Sequence, residues 1–344
     1  MVQETHNAPV GGAIGLILFG VMGGLGLDLC AKAILETYPL EQFVFLRSLI
    51  GLVLFLLLAR QFGGLQGLVT QRWGWHLLRT LLASGAMFGF FFGLSKMPLI
   101  DALTLGFTAP LIMTALSVPL LGEHVGWRRW LAVIAGFAGV LMILRPGSGT
   151  FSPAAFSVLF AALCYACLAI TARKLADTES TFGLSVYVIA GPMIISGLLS
   201  IEGDWNAPDA PGWALFLAAG VCSVIAWIGL VGGYRRAPPS VLAPFEYTAL
   251  IAGAVAGYLI WDEVPDRWVI AGALVIISSG LYIVYREVGA AFSMRRLRAM
   301  TAGSSAFLSR RRRTRPRSSS LSTRLVMAPP LSPVALASLV AGNA

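Results

Sequence analysis

Apolar residues run nearly unbroken in blocks of about twenty, and polar residues collect in the short corners between them. Blocks long enough to span a bilayer fall at residues 11–31, 41–59, 75–95, 99–121, 128–144, 153–171, 182–200, 213–233, 240–260 and 268–285. A helix rises about 1.5 Å per residue, so each block predicts a helix that crosses a hydrocarbon core of about 30 Å. The predicted fold is all-α and polytopic, with ten transmembrane helices. Only the corner Lys96-Met97-Pro98 separates the third from the fourth, and fusing them would drive one helix through a proline.

The blocks repeat. Sliding the chain by 140 residues lays Pro98 on Pro238, Thr108-Ala109 on Thr248-Ala249 and Glu123 on Glu263. After one inserted residue the register continues, with Trp127 on Trp268, Gly139 on Gly280 and Arg145 on Arg286. The chain therefore reads as two five-helix units, residues 10–147 and 152–287, followed by a basic tail over 288–344. An odd number of crossings sends the second unit through the membrane in the opposite sense, which makes the repeat inverted. Inverted repeats suit carriers, because two similar halves can exchange roles around a central site.

Composition and charge agree. With 57% hydrophobic and 12% charged residues, the chain lies far from soluble composition. Residues 1–287 carry 15 Lys+Arg against 16 Asp+Glu, so the whole excess of +9 sits in the tail, which has 10 Arg and no acid. The tail reads as disordered and drawn to anionic lipid, with no nucleic-acid partner. If the N-terminus is inside, the cytoplasmic loops hold Arg60, Arg72, Arg128, Arg129, Arg173, Lys174, Arg235 and Arg236. The opposite loops hold Lys32, Lys96, Arg145 and Arg267 beside Glu202, Asp204, Asp209, Asp262, Glu263 and Asp266. Both termini are therefore expected in the cytoplasm. The first helix has no basic stretch before it and is expected to be retained.

The residues at the repeated positions resemble the drug/metabolite transporter superfamily, and within it the proteins with two EamA domains. In the first half the similar stretches are Met97 to Ala102, Ala109-Pro110-Leu111, Leu121-Gly122-Glu123, Gly136 to Val140 and Arg145-Pro146-Gly147. In the second they are Ala243 to Ala249, Trp261-Asp262-Glu263-Val264-Pro265 and Gly272 to Gly280, with Asp262-Glu263 where the family usually has Gly-Glu. The resemblance implies a ten-helix carrier of the bacterial inner membrane with a cavity between its halves. It also implies small organic solutes as partners, without choosing one.

Ionisable residues inside spans are costly and normally face a cavity or a partner. The depths of Asp28 and Arg47, late in the first helix and early in the second, allow one opposite-charge pair in the outer third. Arg79 and Glu246 allow another in the inner third. Tyr165, Trp227 and Tyr247 stand beside small or polar residues and are candidates to line the cavity with Glu246, Asp28, Arg47 and Arg79. Asp101 is expected to favour the start of the fourth helix. Glu123 and Glu263 end helices at matching points and suggest a shared loop-anchoring task, and His76 is expected at the membrane interface. Glycines at four-residue spacing, Gly85, Gly89, Gly93 and then Gly253, Gly257, suggest close packing within the bundle.

Other classes find less support. Cys30, Cys164, Cys167 and Cys222 lie in apolar runs, so the Cys164-x-x-Cys167 spacing reads as packing, with no metal or cofactor expected. An intramembrane enzyme acting on a lipid would want clustered acids and histidines, but the chain has three histidines and no His-Glu-x-x-His. A scaffold or sensor acting through the Arg-rich tail is the remaining alternative. Proton or counter-solute coupling, and a monomeric or homodimeric state, stay open at this level.

Overall fold

The computed structural model describes residues 10–59, 68–122, 125–145, 152–175, 178–234, 236 and 239–286. The loop acid Glu123 and the basic tail lie outside the described residues, as does the loop around Arg60. The helices are α1 (Val10–Leu35), α2 (Leu40–Leu57), α3 (Trp73–Lys96), α4 (Leu99–Gly106), α5 (Ala109–Leu121), α6 (Trp127–Leu144), α7 (Pro153–Leu175) and α8 (Thr181–Glu202). They continue with α9 (Ala210–Tyr234), α10 (Pro239–Glu246), α11 (Thr248–Trp261) and α12 (Arg267–Arg286). Among the described residues nine stretches are long and apolar enough to cross a membrane, counting α4 and α5 as one. The tenth crossing is the α10–α11 pair, the repeat counterpart of α4–α5.

The structure interrupts these two crossings, which read in the sequence as the blocks 99–121 and 240–260, the second loosened beside Glu246 by Pro244. In the first, α4 ends at Gly106 and α5 begins at Ala109. Pro110 has no amide hydrogen to offer the carbonyl four residues back, and its ring crowds that carbonyl, so the helix cannot run through. In the second, α10 carries Pro244 and ends at Glu246, with Tyr247 between it and α11. The two threonines at the breaks turn back in the same way. Thr108 donates its hydroxyl to the Leu105 carbonyl at 2.7 Å, and Thr248 donates to the Phe245 carbonyl at 2.6 Å. Each supplies a partner to backbone loosened by the interruption.

The bundle is built by helices of one repeat packing on helices of the other: α1 on α9, α3 on α7 and α2 on α8 and α9. Small residues make the close approaches. A Cβ on Gly20 of α1 would stand 2.7 Å from the Leu230 nitrogen of α9, and one on Gly89 of α3 would stand 2.6 Å from the Ser157 carbonyl oxygen of α7. The stripe Gly85, Gly89, Gly93 thus faces α7, where it also meets the Cys164 sulfur, and Gly253 and Gly257 face α4 residues Leu103 and Leu99. Large side chains such as Leu57, Ile251 and Leu259 point outward into what a bilayer would fill with lipid.

Candidate functional site

The two interruptions meet. Phe107 and Tyr247, each the residue between its half-helices, stack with ring centroids 5.0 Å apart. Beside them opens a cavity of about 360 Å³, within the range of small-molecule sites. Gly106 and Glu246, the last residues of α4 and α10, form parts of its wall. Met87, Phe90 and Phe91 of α3, Leu103 and Pro110, the small residues Ala161 and Ala162 of α7, and Arg47 and Tyr165 complete most of the lining. Those on α2, α3 and α7 lie away from the ends of their helices, as the solute sites of carriers do.

The structure brings Arg47, Tyr165 and Glu246 onto this one cavity. Tyr165 lines the cavity and is half exposed. Glu246 accepts a hydrogen bond from the Tyr234 hydroxyl at the end of α9. Arg47 is only 5% exposed and reaches Met87 Sδ at 3.3 Å and Ser48 Oγ at 3.5 Å. Its guanidinium lies 5.8 Å from the Phe91 ring centre, and Asp28 interacts with it electrostatically. Tyr247 contributes through the stacked pair, with its hydroxyl against Gly280.

Asp28 and Tyr247 are not among the lining side chains, and two other sequence-derived positions, Arg79 and Trp227, fall elsewhere. Arg79 donates to the Leu168 carbonyl at 2.9 Å and to Thr171 Oγ1 at 3.0 Å, so it ties α3 to α7 instead of pairing with Glu246. The reason is packing: the early turns of α3 lie against α7, whose carbonyl at Leu168 is already drawn out by the Thr171 hydroxyl. Trp227 donates to Ser185 Oγ at 3.1 Å and sits edge-on to Phe55, in a separate apolar cluster with Phe182. His76 is 2% exposed and stands 3.3 Å from Glu179 of the corner between α7 and α8, so it is buried at that end of the bundle.

One face of the bundle, carrying the α1–α2 turn, is laced together across the repeats. Lys32 pairs with Glu263 and donates to the Met97 carbonyl at 3.2 Å. The other Glu263 oxygen accepts the Leu99 amide at 2.8 Å, so the carboxylate that caps α4 comes from the second repeat and not from Asp101. Gln42 and Asn206 exchange two hydrogen bonds, of 2.6 and 3.1 Å. Tyr38 donates to Asp209 at 3.0 Å, Trp261 donates to Glu36 at 2.6 Å, and Arg145 pairs with Asp266. The Gly212 amide and the Tyr38 hydroxyl hold the Asp209 carboxyl below its usual range, and the Arg145 guanidinium does the same for Asp266. Sequence reasoning missed Lys32, Tyr234 and Phe107. The last could have been found, because the 140-residue offset places Phe107 on Tyr247.

The EamA-like transporter family model matches residues 10–145 and again 152–286. The chain is 29% identical to an S-adenosylmethionine uptake transporter of Rickettsia bellii, over 80% of this chain and 94% of that protein. It is 29% identical to a riboflavin transporter of Vibrio cholerae, over 83% and 96% of the two chains. With a pseudopaline exporter of Pseudomonas aeruginosa it shares 29% identity over 75% and 89%.

Proposed function

The chain belongs to the EamA-like transporter family, and from that membership we propose that it carries its solute through the cavity at the two helix interruptions by alternating access. It is a multi-pass membrane protein that moves a small organic molecule, and it is not an enzyme. The observation that carries the mechanistic reading is the meeting of Phe107 and Tyr247 beside the cavity that Glu246 lines. Two loosened helices, one from each inverted repeat, present backbone and a carboxylate to one cavity.

The laced face supplies the second element of such a cycle. Its ties join residues of the first repeat to residues of the second, so letting solute in from that side requires them to part while equivalent contacts form on the other side. Our reading places the protein in a bacterial inner membrane with both termini cytoplasmic, on the Lys/Arg bias of the loops. That orientation puts the laced face on the periplasmic side. Glu246 and Arg47 are the proposed solute-facing charges, Tyr165 and Tyr247 the proposed stacking surfaces, and Asp28 the counter-charge that holds Arg47 between cycles. Arg79 and Trp227 take structural roles in this scheme. Proton or counter-solute coupling would act through Glu246, the acid on the cavity wall.

The test is reconstitution of the full chain in liposomes and exposure to a metabolite panel with and without a pH gradient. Accumulation or counterflow of at least one solute by the unmodified protein, reduced about tenfold or more in Glu246→Gln at equal protein density, is the expected result. Movement of solute that Glu246→Gln leaves untouched would overturn the placement of the site.

A further inference from the structure

Arg47 is under-satisfied for a buried cation. A guanidinium has five N–H donors in a planar fork. Among the described residues, one nitrogen reaches only a thioether at 3.3 Å and a hydroxyl at 3.5 Å, and the buried Nε has no hydrogen-bond partner. Asp28 supplies a compensating charge but no hydrogen bond that completes the fork. Buried donors in native proteins are almost always satisfied, and a cavity-lining guanidinium with unfilled donors is suited to a two-oxygen anion that reaches it.

The rest of the wall gives that anion its context. Phe90, Phe91, Phe107 and Met87 are flat or soft and apolar, which suits a planar hydrophobic body. Glu246, supported by Tyr234, adds an acid on the same cavity. We propose that the cavity selects an amphoteric solute, whose carboxylate-type group docks on Arg47, whose cationic group docks near Glu246, and whose flat apolar body lies against the phenylalanines. This rests on the carrier reading above and adds the class of molecule carried.

Uptake into proteoliposomes containing the full chain tests it with matched probes. Tryptophan and S-adenosylmethionine represent the amphoteric class. Tryptamine and decarboxylated S-adenosylmethionine lack only the carboxylate, indole-3-propionate lacks the amine, and riboflavin is neutral. The expected result is accumulation of an amphoteric probe, with a loss of about tenfold or more on removing its carboxylate. Arg47→Met should erase that difference between the paired probes, and Arg47→Lys should retain part of it. Size-exclusion profiles establish that each variant is folded, and should both fail to fold, the paired probes on the unmodified protein decide alone. Riboflavin or the decarboxylated probes accumulating as well as their amphoteric partners would overturn the class while leaving the carrier reading intact. So would an unchanged carboxylate preference in Arg47→Met. If no probe moves, the class falls, and the carrier reading is decided separately by the metabolite panel above.

Discussion

Phe107 and Tyr247 occupy the same position in the two repeats, and their rings lie on each other at an interplanar angle of 29°. The pair therefore sits where the internal symmetry of the chain crosses itself. A rearrangement that exchanges the roles of the halves must pivot about or slide across this contact. Its two members come from the interrupted segments, which are the backbone least committed to helix.

Stacked aromatics add about 0.5 to 1.5 kcal/mol beyond their area. Phe107→Leu and Tyr247→Leu should each lower the thermal midpoint in detergent, and the double variant should lose less than the sum, with a coupling of about 1 kcal/mol. Strictly additive losses in that cycle would mean that the rings touch without supporting one another.

Glu246 and Tyr234 allow charge to be separated from shape. Glu246→Gln keeps the side-chain volume and removes the titratable group, so transport should fall about tenfold or more with membrane abundance near normal. Tyr234→Phe removes only the hydrogen-bond donor and should cost less. A Gln variant that transports at the unmodified rate and responds equally to a pH gradient would make Glu246 a packing residue.

Lys32 and Glu263 join the repeats at the laced face, and Glu263 also caps α4 through the Leu99 amide. Both side chains are largely buried, so removing one charge strands the other. Glu263→Ala should cost about 3 kcal/mol or more, whereas Glu263→Gln keeps an acceptor for the amide and should cost less. Adding Lys32→Met to Glu263→Gln should recover stability, since no buried charge remains unpaired. Scanning fluorimetry of the purified variants reads all three. Equal midpoints for the Ala and Gln variants would refute the capping role.

The pH response of two ties on the same face follows from Asp209 and Asp266, whose carboxyls are held below the ordinary value of 3.8 by Gly212 and Tyr38 and by Arg145. For a depressed folded pKa, the stabilisation is complete above the unfolded pKa and is lost as pH falls through the folded one. These ties should therefore hold unchanged from pH 8 to pH 5 and weaken only below about pH 4. Hydrogen exchange over residues 203–212, corrected for intrinsic rates, should show no opening across the upper range. Opening between pH 7 and pH 5 would assign control of this face to other groups.

The crossings, their inverted order and the solute-carrying role were legible because each is written in local composition or in a repeat visible at one offset. Arg47, Tyr165 and Glu246 were legible as costly or amphipathic residues in apolar runs. The destination of Arg79 was not, because depth along a helix does not say which face the side chain leaves from, and α7 proved nearer than Glu246. The interruptions were half visible: Pro244 marked loosened backbone in the second repeat, while Pro110 in the first went unused. Lys32 read as a loop charge since its partner lies 231 residues away, and only the packing of α1 near α11 brings them together.

Asp262 shows the repeat working through backbone conformation rather than chemistry. Gly122 ends α5 with φ of 68°, and Asp262 ends α11 at the matching position with φ of 54°. Both amides turn back to carbonyls of the last turn, from Gly122 to Val118 and from Asp262 to Tyr258, at 3.1 and 3.0 Å. The left-handed conformation costs an L-residue about 1 to 2 kcal/mol, and aspartate tolerates it better than most, which is how Asp262 stands where the first repeat has glycine. Asp262→Gly should therefore raise stability by about 1 kcal/mol, and Asp262→Val should lower it by more, because a β-branched residue at positive φ is strained. Asp262 is exposed, so transport by the glycine variant should match that of the unmodified protein. Thermal midpoints and uptake measured on the same preparations read both effects. A glycine variant less stable than the original would mean that the aspartate side chain, and not the turn it occupies, holds this corner.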